Sequence, residues 1–98
     1  MTSKQRSYLM KLASSIDPIF QIGKSSVTPE LAAAVEEALE ARELIKLHVL
    51  KNCFEDGRAL ANQLAEATYA EVVQVIGKKI VLYREARDPK KRKIVLPK

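Results

Sequence analysis

Along the 98-residue chain the spacing of apolar residues switches repeatedly between helical and extended periods, and that alternation leaves few folds open. Ser3 is placed to cap a first helix over about Lys4 to Ser14, with Tyr8, Leu9, Leu12 and Ala13 as its apolar stripe. Asp17-Pro18 breaks it, and the run Ile19 to Ile22, closed by Gly23, reads as a buried strand. Thr28-Pro29 starts a second helix, Thr as cap and Pro at the first helical position, running to about Ala41. Its apolar face is Leu31, Ala34, Val35, Ala38 and Leu39, which leaves Glu36, Glu37 and Glu40 on a solvated face. Leu44 to Leu50 alternates as a strand, with Ile45, Leu47 and Val49 inward and Lys46 and His48 outward. Asp56 caps a third helix over about Gly57 to Thr68, and Glu71–Ile76 and Lys79–Arg84 flank Gly77-Lys78 as an antiparallel hairpin.

The order α-β-α-β-α-β-β predicts an α/β fold of the two-layer α+β kind. Strands separated by a helix pair in parallel through right-handed crossovers, so the sheet is four-stranded and mixed, with helices packed on it. Residues 1–98 form one domain on this reading. Ile94-Val95-Leu96 is the candidate for a further short strand, and Arg84 to Lys93, charged and without an apolar anchor, is expected to be mobile when unbound.

Charge is distributed unevenly. Residues 1–27 carry +3, residues 28–77 carry −5 and residues 78–98 carry +7. Basic ends around an acidic middle suggest termini converging on one polyanion-facing side, and nucleic acid is the commonest such polyanion. No apolar run approaches the roughly 18 residues of a membrane span, and the opening MTSKQRSYLMK lacks the apolar stretch of a signal peptide. A single cysteine fits a reducing compartment, so a cytoplasmic location is expected.

Catalysis and metal binding find little support. His48 and Cys53 are too few for a metal site, which usually takes four ligands, and Cys53 reads as a small buried hydrophobe. Gly23-Lys24-Ser25 invites comparison with a nucleotide-binding P-loop, but that pattern needs a glycine where this chain has Pro18, and a helix directly after the lysine. What survives is a short loop offering backbone amides, one lysine and two hydroxyls beside a helix N-terminus, suited to one backbone phosphate. Neither an enzymatic activity nor a cofactor is expected.

Several separated segments resemble the CRM domain, named for chloroplast RNA splicing and ribosome maturation, in its stand-alone bacterial YhbY-like form. They are KQR (Lys4 to Arg6), PIFQIGKSS (Pro18 to Ser26), ELIKLHV (Glu43 to Val49), VQVIGKKIVLYR (Val73 to Arg84) and KIVLP (Lys93 to Pro97). The resemblance implies a fold like the C-terminal domain of a translation initiation factor. It also implies a loop of the GxxG type, similar to that of KH domains, set against the nucleic-acid backbone, and an association with large ribosomal subunit precursors. Carried onto this chain, the loop is Gly23, Lys24, Ser25 and Ser26, and Ser26 departs from the family's usual glycine. Serine there carries a steric cost at positive φ but adds a hydroxyl donor.

The reading is therefore an RNA-binding protein that grips ribosomal RNA through Gly23 to Ser26, with Lys4, Lys11, Lys78, Lys79 and Arg84 as further phosphate contacts. Tyr8 and Tyr69 are expected to be packed, leaving Tyr83 alone on a strand and no base-stacking platform. Two alternatives use the same sequence: a module that joins ribosome precursors by protein contacts through the acidic helix or an open sheet face, and a general DNA-binding protein.

Overall fold

Thr2, one residue ahead of the expected cap, starts the first helix, α1 (Ser3–Ala13). Its hydroxyl accepts from the Gln5 amide at 3.1 Å while the Gln5 side-chain oxygen accepts from the Thr2 amide at 3.0 Å. That reciprocal pair satisfies two amides a helix start otherwise leaves open. The computed structural model describes residues 1–98 and continues as β1 (Phe20–Ile22), α2 (Pro29–Arg42), β2 (Leu44–Val49), α3 (Gly57–Thr68), β3 (Glu71–Ile76) and β4 (Lys79–Tyr83). Thr28 and Asp56 cap α2 and α3 as expected. No helix is long and apolar enough to cross a membrane.

The four strands form one mixed sheet in the order β1-β2-β4-β3. β1 is parallel to β2, and β4 is antiparallel to both of its neighbours. β1, β2 and β3 therefore run the same way, each reached through a helix, and their C-terminal ends lie at one end of the sheet.

Ile45, Leu47, Val49, Ile80 and Leu82 pack against Val35 and Leu39 of α2 and Leu60, Ala61 and Leu64 of α3. Leu44, Val73, Val81 and Tyr83 face the other way, against Leu9 and Ala13 of α1. Helices thus cover both faces, where two layers were expected. The cause is visible in β4, whose unbroken Ile80-Val81-Leu82-Tyr83 is buried on both sides. A bulge between Val72 and Gln74 frees carbonyls on edge strand β3, and the Arg6 guanidinium of α1 donates to those of Val72 and Val73.

Residues 94–96 depart from expectation. Ile94–Leu96 forms no strand; Ile94 and Leu96 pack under α1 while Val95 is exposed. The charged stretch 84–93 is tied down by carboxylates from α2 and its end. Glu43, fully buried at the α2–β2 junction with φ +66, accepts from Ala86 N at 2.8 Å on Oε2 and from Lys93 N at 2.7 Å and Ile94 N at 2.9 Å on Oε1. Glu40 accepts from Arg87 N at 2.8 Å and Asp88 N at 2.9 Å. A single 3-10 turn, Pro89–Lys91, follows.

Arg84 lies in the same network. It donates to Glu40 Oε1 at 3.0 Å, Thr68 O at 3.1 Å and Glu36 Oε1 at 3.4 Å. Glu36 and Glu40, expected on a solvated face, are thus engaged, and Arg87 adds a second ion pair to Glu36 at 3.1 Å. Burial pushes the Glu43 carboxyl up, but the three amides and the Arg92 guanidinium outweigh it and hold it below the usual carboxylate range. The amides of Arg87 and Asp88, with Arg84, lower Glu40 likewise. Burial, reinforced by the charges of Glu43 and Glu85, raises Tyr83 above the ordinary phenol value.

Candidate nucleic-acid interface

Three connections meet where β1, β2 and β3 end: residues 23–28, residues 50–56 and the hairpin turn at 77–78. Backbone bonds stitch them together, Leu50 N donating to Ile22 O at 2.8 Å and Val49 N to Lys78 O at 2.7 Å. The N-termini of α2 and α3 open at this same end, so both helix dipoles add positive potential to it.

Gly23 to Ser26 forms a tight turn, Ser26 N donating to Gly23 O at 2.9 Å, which projects Lys24 and Ser25 into solvent. A β-carbon on Gly23 would stand in ordinary contact, 3.4 Å from Asn52 Oδ1 and 3.7 Å from Leu50 Cδ1, so the 50–56 loop lies directly against this turn. Ser26 has φ +59, the left-handed conformation that the resemblance's glycine would hold without strain. Thr28 Oγ1 takes the Leu31 amide at 3.0 Å, and the Glu30 carboxylate opposes an anion on the α2 axis. The α2 N-terminus is therefore partly neutralised by its own cap and first-turn carboxylate.

Lys78 and Lys79, at the hairpin turn, share this end with the 23–26 turn. Lys51 joins them, and a shallow depression of about 550 Å³ is lined by His48 to Asn52 and Lys78. Lys24, Lys51, Lys78 and Lys79 take part in no ion pair; all four ion pairs of the molecule belong to Arg84, Arg87 and Arg92.

The remaining predicted contacts are not brought here. Lys4 and Lys11 stand on the outer surface of α1, which crosses the Leu44–Tyr83 half of the sheet. Arg84 is only 7% exposed and turned into the Glu36–Glu40 pair, because β4 delivers it to the flank of α2. The basic termini do converge, Gln5 Nε2 donating to Pro97 O at 3.1 Å and Ile94 and Leu96 packing against α1, but on the Leu44–Tyr83 half of the sheet and not at the 23–26 turn. Lys51, from the acidic middle, takes their place.

The aromatic residues also differ from expectation. Tyr83, the strand tyrosine, is 6% exposed, whereas Tyr69 is 79% exposed at the left-handed C-cap of α3. Phe54, in the 50–56 loop, is 92% exposed. Its signal in the sequence is an aromatic outside any periodic stripe, in the polar run KNCFEDG. Cys53 beside it is buried in the main core, and no three His, Cys, Asp or Glu side chains gather anywhere as metal ligands. The groove between the end of α1 and β2, about 650 Å³ and lined mainly by Leu12, Ile16, Ile19, Leu44 and Ile45, carries no His, Cys or Ser–His pairing suited to catalysis.

Fold and site together define a small α/β module whose strand ends present a lysine-bearing turn amid unpaired cations. The chain belongs to the CRS1 / YhbY (CRM) domain family, whose model matches residues 1–84. It is 44% identical over 90 residues to Probable RNA-binding protein YqeI of Bacillus subtilis, covering 92% of this chain and 94% of that protein. It is 34% identical to a protein of Haemophilus influenzae named RNA-binding protein, covering 92% and 91%. Both relatives are named for RNA binding and not for a catalytic activity. The solution structure of the Staphylococcus aureus protein SAV1595 superposes with a TM-score of 0.79 at 50% identity, covering 99% of each chain.

Proposed function

We propose that this chain binds RNA through its sugar-phosphate backbone, using the Gly23–Ser26 turn with Lys24, and that Lys51, Lys78 and Lys79 extend the contact. One observation carries the reading: these exposed or half-exposed lysines stand at the same end of the sheet as the turn and have no internal carboxylate partner. Unpaired ammonium groups release counterions when a phosphate chain docks, which is the main sequence-independent source of affinity for nucleic acid. The relatives' names as RNA-binding proteins favour RNA as the partner.

Ribosomal RNA in precursors of the large subunit is the target favoured by the family resemblance. The acidic-helix alternative has less to offer a partner, because Glu36 and Glu40 already hold Arg84 and Arg87.

The test is the salt dependence of RNA affinity. Lys24→Ala lowers the slope of log affinity against log salt by about 0.7 for a single-stranded site. An unchanged slope and affinity excludes the turn as a contact. Crosslinking in cells, with recovery of the attached RNA, tests the ribosomal target, and equal affinity for duplex DNA and ribosomal RNA refutes RNA selectivity.

A further inference from the structure

We propose that Phe54 is a stacking platform for an unpaired nucleobase, so that the interface takes single-stranded RNA in preference to duplex. This rests on the reading of the 23–26 turn as a phosphate contact and adds to it the form of the nucleic acid. Phe54 is the most exposed large apolar side chain of the molecule, at 92%, and touches almost nothing of its own fold. Single exposed apolar residues are common on protein surfaces, so exposure alone assigns nothing. Position and surrounding charge do.

The backbone on each side of Phe54 is pinned. Cys53 N donates to Leu50 O at 3.1 Å and the Cys53 side chain is buried in the main core. On the other side Asp56 caps α3, its carboxylate accepting from Ala59 N at 3.2 Å. The frame fixes the backbone that carries the ring, so stacking orders the side chain alone. Asn52, whose side chain lies against Gly23, is two residues from Phe54, which sets their Cα atoms within about 7 Å. Phe54 therefore belongs to the loop that packs against the turn assigned to phosphate, with Lys51 and Lys78 on the same end of the sheet. Glu55 is the one free carboxylate next to it, since Asp56 is committed to its cap. An aromatic face flanked by cations matches the two chemical faces of a single strand, an anionic backbone and a base with an exposed π-surface. In a duplex the base faces are stacked on one another and unavailable.

The test compares wild type with Phe54→Ala and Phe54→Trp, using an oligouridylate of about 12 nucleotides, within the site sizes of single-strand binders, and an RNA duplex of equal length. Phe54→Ala is expected to weaken the single strand about tenfold, with an unchanged salt slope and unchanged duplex affinity. Phe54→Trp retains single-strand affinity, and because the chain has no tryptophan its indole emission reports the contact directly by quenching on the oligonucleotide. The side chain is exposed, so neither variant should alter the melting temperature.

Wild-type affinity in Phe54→Ala, an unquenched indole, or equal losses on strand and duplex each overturn the proposal. So does unchanged naked-RNA affinity with lost association to ribonucleoprotein particles, which makes Phe54 a protein contact. The two readings separate cleanly: an altered Lys24→Ala slope with an inert Phe54→Ala sinks stacking alone, and the reverse pattern sinks the phosphate turn.

Discussion

Replacing Glu43 by Gln changes one atom in the network that holds the C-terminal segment, and its cost can be worked from the geometry. The Glu43 carboxylate accepts three backbone amides, two on one oxygen and one on the other. Gln has a single oxygen; if it keeps Lys93 and Ile94, its NH2 group points at the Ala86 amide, which sits 2.8 Å from Oε2 in the wild type. A buried donor then faces a donor, costing about 1–3 kcal/mol, and two charge-assisted bonds become neutral ones, each about half as strong. Relief from burying a charge offsets part of this, leaving a net loss of about 2–3 kcal/mol. With roughly 2.1 cal/mol/K of unfolding entropy per residue, a 98-residue domain loses about 5 °C per kcal/mol, so Glu43→Gln melts about 10–15 °C lower at pH 7.

Acid supplies the internal control. The Glu43 carboxyl titrates lower in the folded chain than in the unfolded one. Its contribution is complete above the unfolded value near about 4.3 and is lost as pH falls through the lower folded value. The gap in melting temperature between wild type and variant, followed by circular dichroism, therefore narrows below about pH 4. A gap under about 3 °C at neutral pH, or one that stays constant into acid, refutes the assignment of these bonds.

Ser26→Gly relieves about 1–2 kcal/mol of left-handed strain against about 0.5–1 kcal/mol of extra unfolded-chain entropy, so the variant melts slightly higher. It also binds RNA more tightly through closer backbone approach, whereas weaker binding in a titration identifies the serine hydroxyl as the contact. Arg84→Met destabilises by about 2–4 kcal/mol in urea unfolding because it leaves Glu36 and Glu40 without their shared cation. RNA affinity of the folded variant stays unchanged, and a loss of affinity returns Arg84 to the interface.

Local signals carried most of the architecture. Thr28-Pro29, Asp56 and Gly77-Lys78 each act on residues within a turn of themselves, so capping and hairpin chemistry marked α2, α3 and the β3–β4 connection within a residue or two. The Gly23–Ser26 turn was legible for the same reason. What stayed hidden depends on partners distant in the chain. Arg84 meets Glu36 and Glu40 only because β4 inserts between β2 and β3, and Glu43 reaches amides more than 40 residues away. Lys51 belongs to an acidic stretch by sequence and to a basic surface by sheet register. Glu43 and Tyr69 hold positive φ at helix ends where glycine or asparagine is usual, so composition gave no hint of those turns.

The bond from Gln5 Nε2 to Pro97 O, 3.1 Å across 92 residues of sequence, brings the beginning and the close of the chain together beneath the first helix. Both ends consequently lie away from the lysine-lined extremity. A tether or fusion attached at either one leaves that extremity facing outward, and a short peptide joining the two ends permits new termini to be cut elsewhere without disturbing it.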